Sequence, residues 1–290
     1  MNSFDPISEP GGPSPELPAT EPVAPLKIVL EPEPPPPPPP IVIELPKTEI
    51  DLLDVLFILL ATFGAFIFLG IAAGVIYMVA HHGQPFDPKA METNVFFILP
   101  VEFAVYAAVL GFMALLVWVR HRRHLFEAVY WNKPNGRLAM YAVLTGMGLA
   151  VVSSLTGVLL DRWIPKSLPM SEFFKDRPSA FLLAAFGVLV APLMEELFFR
   201  GVLYPALARW TGSAISILLT SLAFTALHGA QLGYSWAALV PIFIVGTTLT
   251  VVRAQKKSLA TCVLIHMTYN FLLMVVAFIG SHGFRDMQGI

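Results

Sequence analysis

A succession of apolar stretches limits this chain more than any other feature, since each approaches the roughly 20 residues that a helix needs to cross a hydrocarbon core of about 30 Å. Seven can be drawn, at about residues 55–80, 95–119, 138–160, 179–208, 213–229, 236–252 and 258–280. The fourth is interrupted by charges and the fifth and sixth are short, so counts from six to eight fit the pattern around a central value of seven. Hydrocarbon satisfies no backbone polar group, which leaves helices and closed barrels as spanning structures, and long continuous apolar runs select helices. The expected fold is all-α, a polytopic transmembrane helical bundle. Composition agrees: 56% of the 290 residues are hydrophobic and 13% charged, with a mean hydropathy of +0.70.

Upstream of the first span the chain changes character. Residues 1 to about 50 hold most of the prolines, including the unbroken run Pro34 to Pro40, and lack apolar periodicity that could build a core. This segment is expected to be a disordered tail with a polyproline II rod, a spacer first and a docking site for a proline-recognising partner second. It has no basic region followed by a short apolar one, so no cleaved signal is expected and the first span should remain as an anchor. The expected organisation is a tail at 1–50, N-terminal spans with a basic loop at 51–137, and a core at 138–282.

Charge orients the spans and narrows the partners. With the amino terminus in the cytoplasm, twelve of the 18 Lys and Arg residues fall on that side, dominated by RHRRH at 120–124, as cytoplasmic loops favour. Seven spans would then place the carboxyl terminus outside. A net charge of −2 offers no basic surface for nucleic acid. The single Cys262 forms no internal disulfide and no cysteine-based zinc site.

Each ionisable side chain within a span costs about 2.5–3.5 kcal/mol on insertion scales and calls for a partner or a purpose. The fourth span contains APLMEELFFR, residues 191–200. Glu196 and Arg200 lie one turn apart in the favourable acid-before-base order and should pair. Glu195 points about 100° away, so Arg200 cannot easily serve both, and one carboxylate is left for the bundle interior. Pro192, one turn upstream, removes a backbone hydrogen bond and should open the helix locally. The fifth span offers Phe224 and, one turn later, His228; the seventh offers His266 and Asn270, again one turn apart. Glu102 stands alone in the second span, as a buried partner of a histidine or as a residue near the interface. Taken singly, His228 reads as a satisfied core histidine and the His266 and Asn270 pair as interhelical hydrogen bonding.

Together these groups can run hydrolysis. A carboxylate and an imidazole activate a water directly or through a bound Zn²⁺, and His or Asn can donate to an oxyanion. The chain has no H-E-x-x-H metal motif, no G-x-S-x-G elbow and no pair of intramembrane aspartates, which leaves glutamate and histidine to carry the chemistry.

Read in order, the three segments resemble the signature of the CPBP family, the CAAX-prenyl endopeptidase and bacteriocin-processing (Abi) membrane proteases. E-E-x-x-x-R corresponds to Glu195, Glu196 and Arg200, F-x-x-x-H to Phe224 and His228, and H-x-x-x-N to His266 and Asn270, within about residues 140–280. The resemblance implies an intramembrane endopeptidase in which Glu195 activates water with His228 beside it. It further implies that His266 and Asn270 polarise the scissile carbonyl, and that Glu196 and Arg200 hold the motif helix. A metal-free mechanism is preferred slightly; in the metal-dependent alternative Glu195, His228 and His266 would ligate Zn²⁺. The substrate is expected to be a peptide or protein at the bilayer, lipidated or not. Counting residues sets His228 late in its short span, nearer one membrane face than Glu195 and His266. The competing readings are a membrane immunity or scaffold protein that uses the polar cluster as helix glue, and a transporter or proton channel using the same residues as a relay.

Overall fold

The computed structural model describes residue 12 and residues 49–81 and 91–286, so the proline-rich tail at 1–11 and 13–48, including Pro34 to Pro40, lies outside the described residues. The chain divides into two units, Met1–Ile41 and Val42–Ile290, and every element below belongs to the second. Among the described residues the regular structure is helical: α1 (Leu52–Ala80), α2 (Val95–His121), α3 (Leu125–Ala128), α4 (Gly136–Leu160), α5 (Arg177–Leu189), α6 (Ala191–Glu196), a π-helical segment (Leu197–Leu203), α7 (Tyr204–Leu227), α8 (Trp236–Lys256) and α9 (Leu259–Gly280). Among the described residues six stretches are long and apolar enough to cross a membrane, and the protein is a multi-pass integral membrane protein.

One of the six, Arg177–Leu227, runs for 51 residues. A straight helix of that length would reach about 76 Å, more than twice a hydrocarbon core. Gly212 prevents this: at φ 74° and ψ 170° it leaves the helical region, a conformation open to glycine because no Cβ intervenes. Phe199 and Phe224, which would lie on the order of 37 Å apart in a straight helix, have ring centroids 5.2 Å apart. The Tyr204 hydroxyl and Ser213 Oγ are 3.2 Å apart across the same bend. The chain therefore turns back on itself at Gly212, and the six stretches comprise seven rods.

Contacts at the rod ends sort them onto two faces. On the face where α1 begins, Arg120 at the end of α2 reaches Asp54 and Asp51 at 2.6 and 3.2 Å, and His121 Nε2 lies 2.9 Å from Asp54. Arg209, just before the reversal, donates to the carbonyls of Glu49 and Ile50. On the opposite face, Met170 N–H donates to the Gln231 carbonyl, and Arg177 Nε to the Gly283 carbonyl.

Burial is inverted relative to a water-soluble protein. The large side chains of α1 point outward, Phe63 at 68% and Phe68 at 71% exposure, whereas Glu196 and Arg200 are fully buried. Lipid tails are as apolar as leucine, so helices gain by close backbone approach at small residues. Gly146 of α4 shows this against α9: a Cβ there would sit 2.7 Å from the Ile265 carbonyl oxygen and 2.8 Å from Thr268 Cβ.

Candidate active site

The motif helix is shaped by its two prolines. α5 ends at Leu189 with Val190 as its cap, and α6 begins at Ala191 with Pro192 in its first turn. Six residues on, the helix widens: the Tyr204 N–H bonds the Phe199 carbonyl, five residues back. In that register the Arg200 carbonyl would look to residue 205, but residue 205 is proline and has no N–H. Arg253 of α8 supplies the missing donor, its Nε 2.9 Å from the Arg200 oxygen, while its Nη2 donates to the Val129 carbonyl at 3.1 Å. Single π turns inside α-helices recur at functional sites.

Glu196 and Arg200 pair as their spacing predicts, Arg200 Nη1 to Glu196 Oε1 at 2.7 Å. Arg200 is then fully engaged: Nη2 donates to the Gly246 carbonyl at 2.9 Å, Nε to Thr250 Oγ1 at 3.3 Å, and the guanidinium lies 4.4 Å from the Phe224 ring centroid. Gly246 permits this packing, since a Cβ there would meet Phe224 Cδ1 at 3.1 Å.

His266 joins the two glutamates. Its Nδ1 lies 2.9 Å from Glu196 Oε1, and its Nε2 lies 3.7 Å from Glu195 Oε2. An ionised carboxylate only accepts, so Nδ1 carries a proton and donates to Glu196, and Nε2 is the ring atom turned toward Glu195. The 3.7 Å gap is too long for a direct hydrogen bond and short enough for a water to bridge. Exposure separates the two carboxylates: the Glu195 side chain is 16% exposed and that of Glu196 is 0%.

The other expected residues take more local partners. His228 caps the end of α7, its Nδ1 2.9 Å from the Phe224 carbonyl, which leaves Nε2 as the acceptor. The Phe224 ring centroid lies 4.8 Å from that of His228 and 5.8 Å from that of His266, so both histidines border one buried phenylalanine. Asn270 Nδ2 donates to the Gly187 carbonyl at 2.7 Å, satisfying one of the carbonyls that the last turn of α5 leaves unpaired. Glu102 on α2 is partly buried, and Tyr106, one turn on along the same helix, stacks on Phe186 of α5 with ring centroids 5.7 Å apart. Among the described residues no three His, Cys, Asp or Glu side chains gather to hold a metal. Glu195 and His266 supply a pair, short of the three protein ligands of a catalytic zinc site.

Two of the cations counted toward the basic face lie inside the bundle. Arg200 is 0% and Arg253 is 1% exposed. Arg253 sits one residue past the apolar run drawn for its span, and the available signal was Pro205, which orphans a carbonyl that some donor has to meet.

Residues 177–272 match a family model described as Rce1-like, type II CAAX prenyl endopeptidase Rce1-like. That segment carries all of Glu195, Glu196, Arg200, Phe224, His228, His266 and Asn270, in agreement with the resemblance to the CPBP proteases. No curated protein and no solved structure matches the chain.

Proposed function

From the Rce1-like segment at 177–272 as premise, we propose that this protein is an intramembrane endopeptidase in which Glu195 and His266 activate the attacking water. The observation that carries the reading is the position of His266: one ring nitrogen is fixed by the buried Glu196–Arg200 pair, and the other lies 3.7 Å from the partly open Glu195. A water in that gap can donate one hydrogen to the Glu195 carboxylate and the other to the His266 lone pair, so its oxygen is aimed by two acceptors. Glu196, itself held by Arg200, fixes the orientation of the His266 ring while Glu195 takes the proton. His228, bordering the same phenylalanine as His266, is the second imidazole of the scheme, and Asn270 has a second amide N–H for the substrate carbonyl beyond the one given to Gly187.

The substrate is a peptide bond in a protein held at the bilayer, of the CAAX-processing kind, lipidated or not. The face bearing RHRRH is the cytoplasmic one, which puts residue 49 inside and residue 286 outside by the sorting of basic residues.

The test is purified protein in detergent against quenched-fluorescent peptides, prenylated and unprenylated, with and without chelator. Wild type should cleave, and Glu195→Gln should lose at least about 10²-fold, the scale of a removed general base, while melting at the wild-type temperature. Undiminished cleavage by Glu195→Gln would sink the assignment. Loss of activity in chelator with recovery on added Zn²⁺ would move the base role to a metal-bound water.

A further inference from the structure

Burial divides each of the three site segments in the same sense. Glu196, Phe224 and His266 are buried, while Glu195, His228 and Asn270 are half-buried. The rod ends fix the directions: α5 starts beside Gly283 and leads through α6 to Arg209 at the basic face, α7 runs back from Gly212 to the turn that holds Gln231, and α9 runs from Leu259 to Gly280. In all three segments the half-buried residue is therefore the one farther from the face bearing RHRRH. The same asymmetry extends through the bundle. On the basic side of the site Leu197, Val202, Tyr204, Leu249, Leu259 and Cys262 are fully buried. That end is also tied shut: the Leu259 N–H donates to the Tyr130 carbonyl at 3.0 Å, Ser258 Oγ to the Asn132 carbonyl at 2.6 Å, and Asn132 Nδ2 to the Lys257 carbonyl at 3.0 Å. On the opposite side no residue between Ala180 and Pro192, between Ala237 and Val245, or between Tyr269 and Ser281 is buried.

Polar and ionisable groups are costly against lipid tails, and within a membrane protein they face its interior or a water-filled cavity. The half-buried side of Glu195, His228 and Asn270 thus marks a cleft that admits water. Resting on the endopeptidase reading, we propose that this cleft is the substrate entrance and that it opens on the face opposite RHRRH. The sorting of basic residues makes that face the non-cytoplasmic one. The substrate class is then a peptide segment presented from the non-cytoplasmic side of the bilayer, and the buried layer beyond Glu196 stops it from passing through. The entrance borders the turn after α7, where the Met170 N–H donates to the Gln231 carbonyl at 3.0 Å and a Cβ on Gly233 would meet Pro169 Cδ at 3.3 Å. The connection between α4 and α5 therefore forms part of its rim.

Capping each face in turn tests this. His124 in RHRRH and Gln231 on the turn after α7 are both exposed, and the natural Cys262 is buried, so His124→Cys and Gln231→Cys each offer one accessible thiol. Each variant is purified in detergent, and its peptide cleavage is measured before and after conjugation with a long polyethylene glycol maleimide. Conjugated Gln231→Cys should lose at least about tenfold in kcat/KM, carried by KM because the polymer hinders association and leaves the chemistry alone. Conjugated His124→Cys should stay near its unconjugated value. Equal losses, no loss in either, or a loss confined to His124→Cys would overturn the entrance while leaving the Glu195 scheme standing. Failure of the unmodified wild type to cleave would instead remove the endopeptidase reading, and the entrance with it. A second measurement needs no activity: on intact cells an impermeant maleimide should label Gln231→Cys and not His124→Cys. The reverse pattern would put the same cleft on the cytoplasmic side and overturn the substrate class. Should Gln231→Cys not fold, Ala230→Cys, also exposed, carries both measurements.

Discussion

Glu196 shows how far a single residue can be read without its surroundings. Its pairing with Arg200 follows from a four-residue spacing, and the structure has it at 2.7 Å. Its second partner, His266, is 70 positions away and carries no local signature, because helical periodicity relates residues within a rod and not between rods. Removing one member of a buried pair strands the other charge, at a cost of about 3–5 kcal/mol. Glu196→Gln should accordingly lower the thermal midpoint well below that of wild type, whereas Glu195→Gln should leave it near the wild-type value. Equal midpoints for the two variants would contradict the division of labour between the glutamates. The expected roles of His266 and Asn270 as a matched pair were legible only as two polar residues on one face. The structure sends one to the glutamates and the other to a helix end, which depends on where α5 stops.

At the scale of elements, the rods themselves were readable because each must match the bilayer. The widening of the motif helix was not, since it needs a donor from α8 to complete it. Pro192 was expected to open the helix; Val190 keeps helical angles and its bonds to Phe186 and from Met194, and the widening comes further down, where Pro205 withholds its N–H. Packing of α4 on α9 gives a sharper check. In a helix interior Gly→Ala gains about 0.5–1 kcal/mol from backbone entropy. At Gly148 nothing lies within 4 Å of the added methyl, so Gly148→Ala should be neutral or stabilising. At Gly146 the methyl would meet the Ile265 carbonyl at 2.7 Å, and overpacking of that kind costs about 1–3 kcal/mol. Gly146→Ala should therefore melt below wild type and Gly148→Ala should not, as differential scanning fluorimetry in detergent would show.

Across the whole molecule, the basic face is tied together by charge. Asp51 caps α1 by accepting from the N–H groups of Leu53 and Asp54, and it meets Arg120 from α2. Burial pushes its carboxyl up, but the Asp54 N–H, the Arg120 guanidinium and the Leu53 N–H outweigh this and hold it below the ordinary aspartate value near 3.8. A depressed carboxyl adds stability above its unfolded value and loses it as pH falls through the folded one. The melting temperature should thus drop on acidification below about pH 4, more steeply for wild type than for Asp51→Asn; parallel pH curves would show that this contact contributes nothing. The reversal at Gly212 bears on any such measurement in lipid. Seven rods leave residues 49 and 286 on opposite faces of the bundle, so a molecule lying across a bilayer is vectorial. Reconstituted vesicles will hold two populations, inserted in opposite senses, and an added impermeant peptide will meet the same surface on only one of them. On the endopeptidase reading, specific activity in sealed vesicles will then report the insertion ratio as much as the chemistry, until the bilayer is opened and both populations respond.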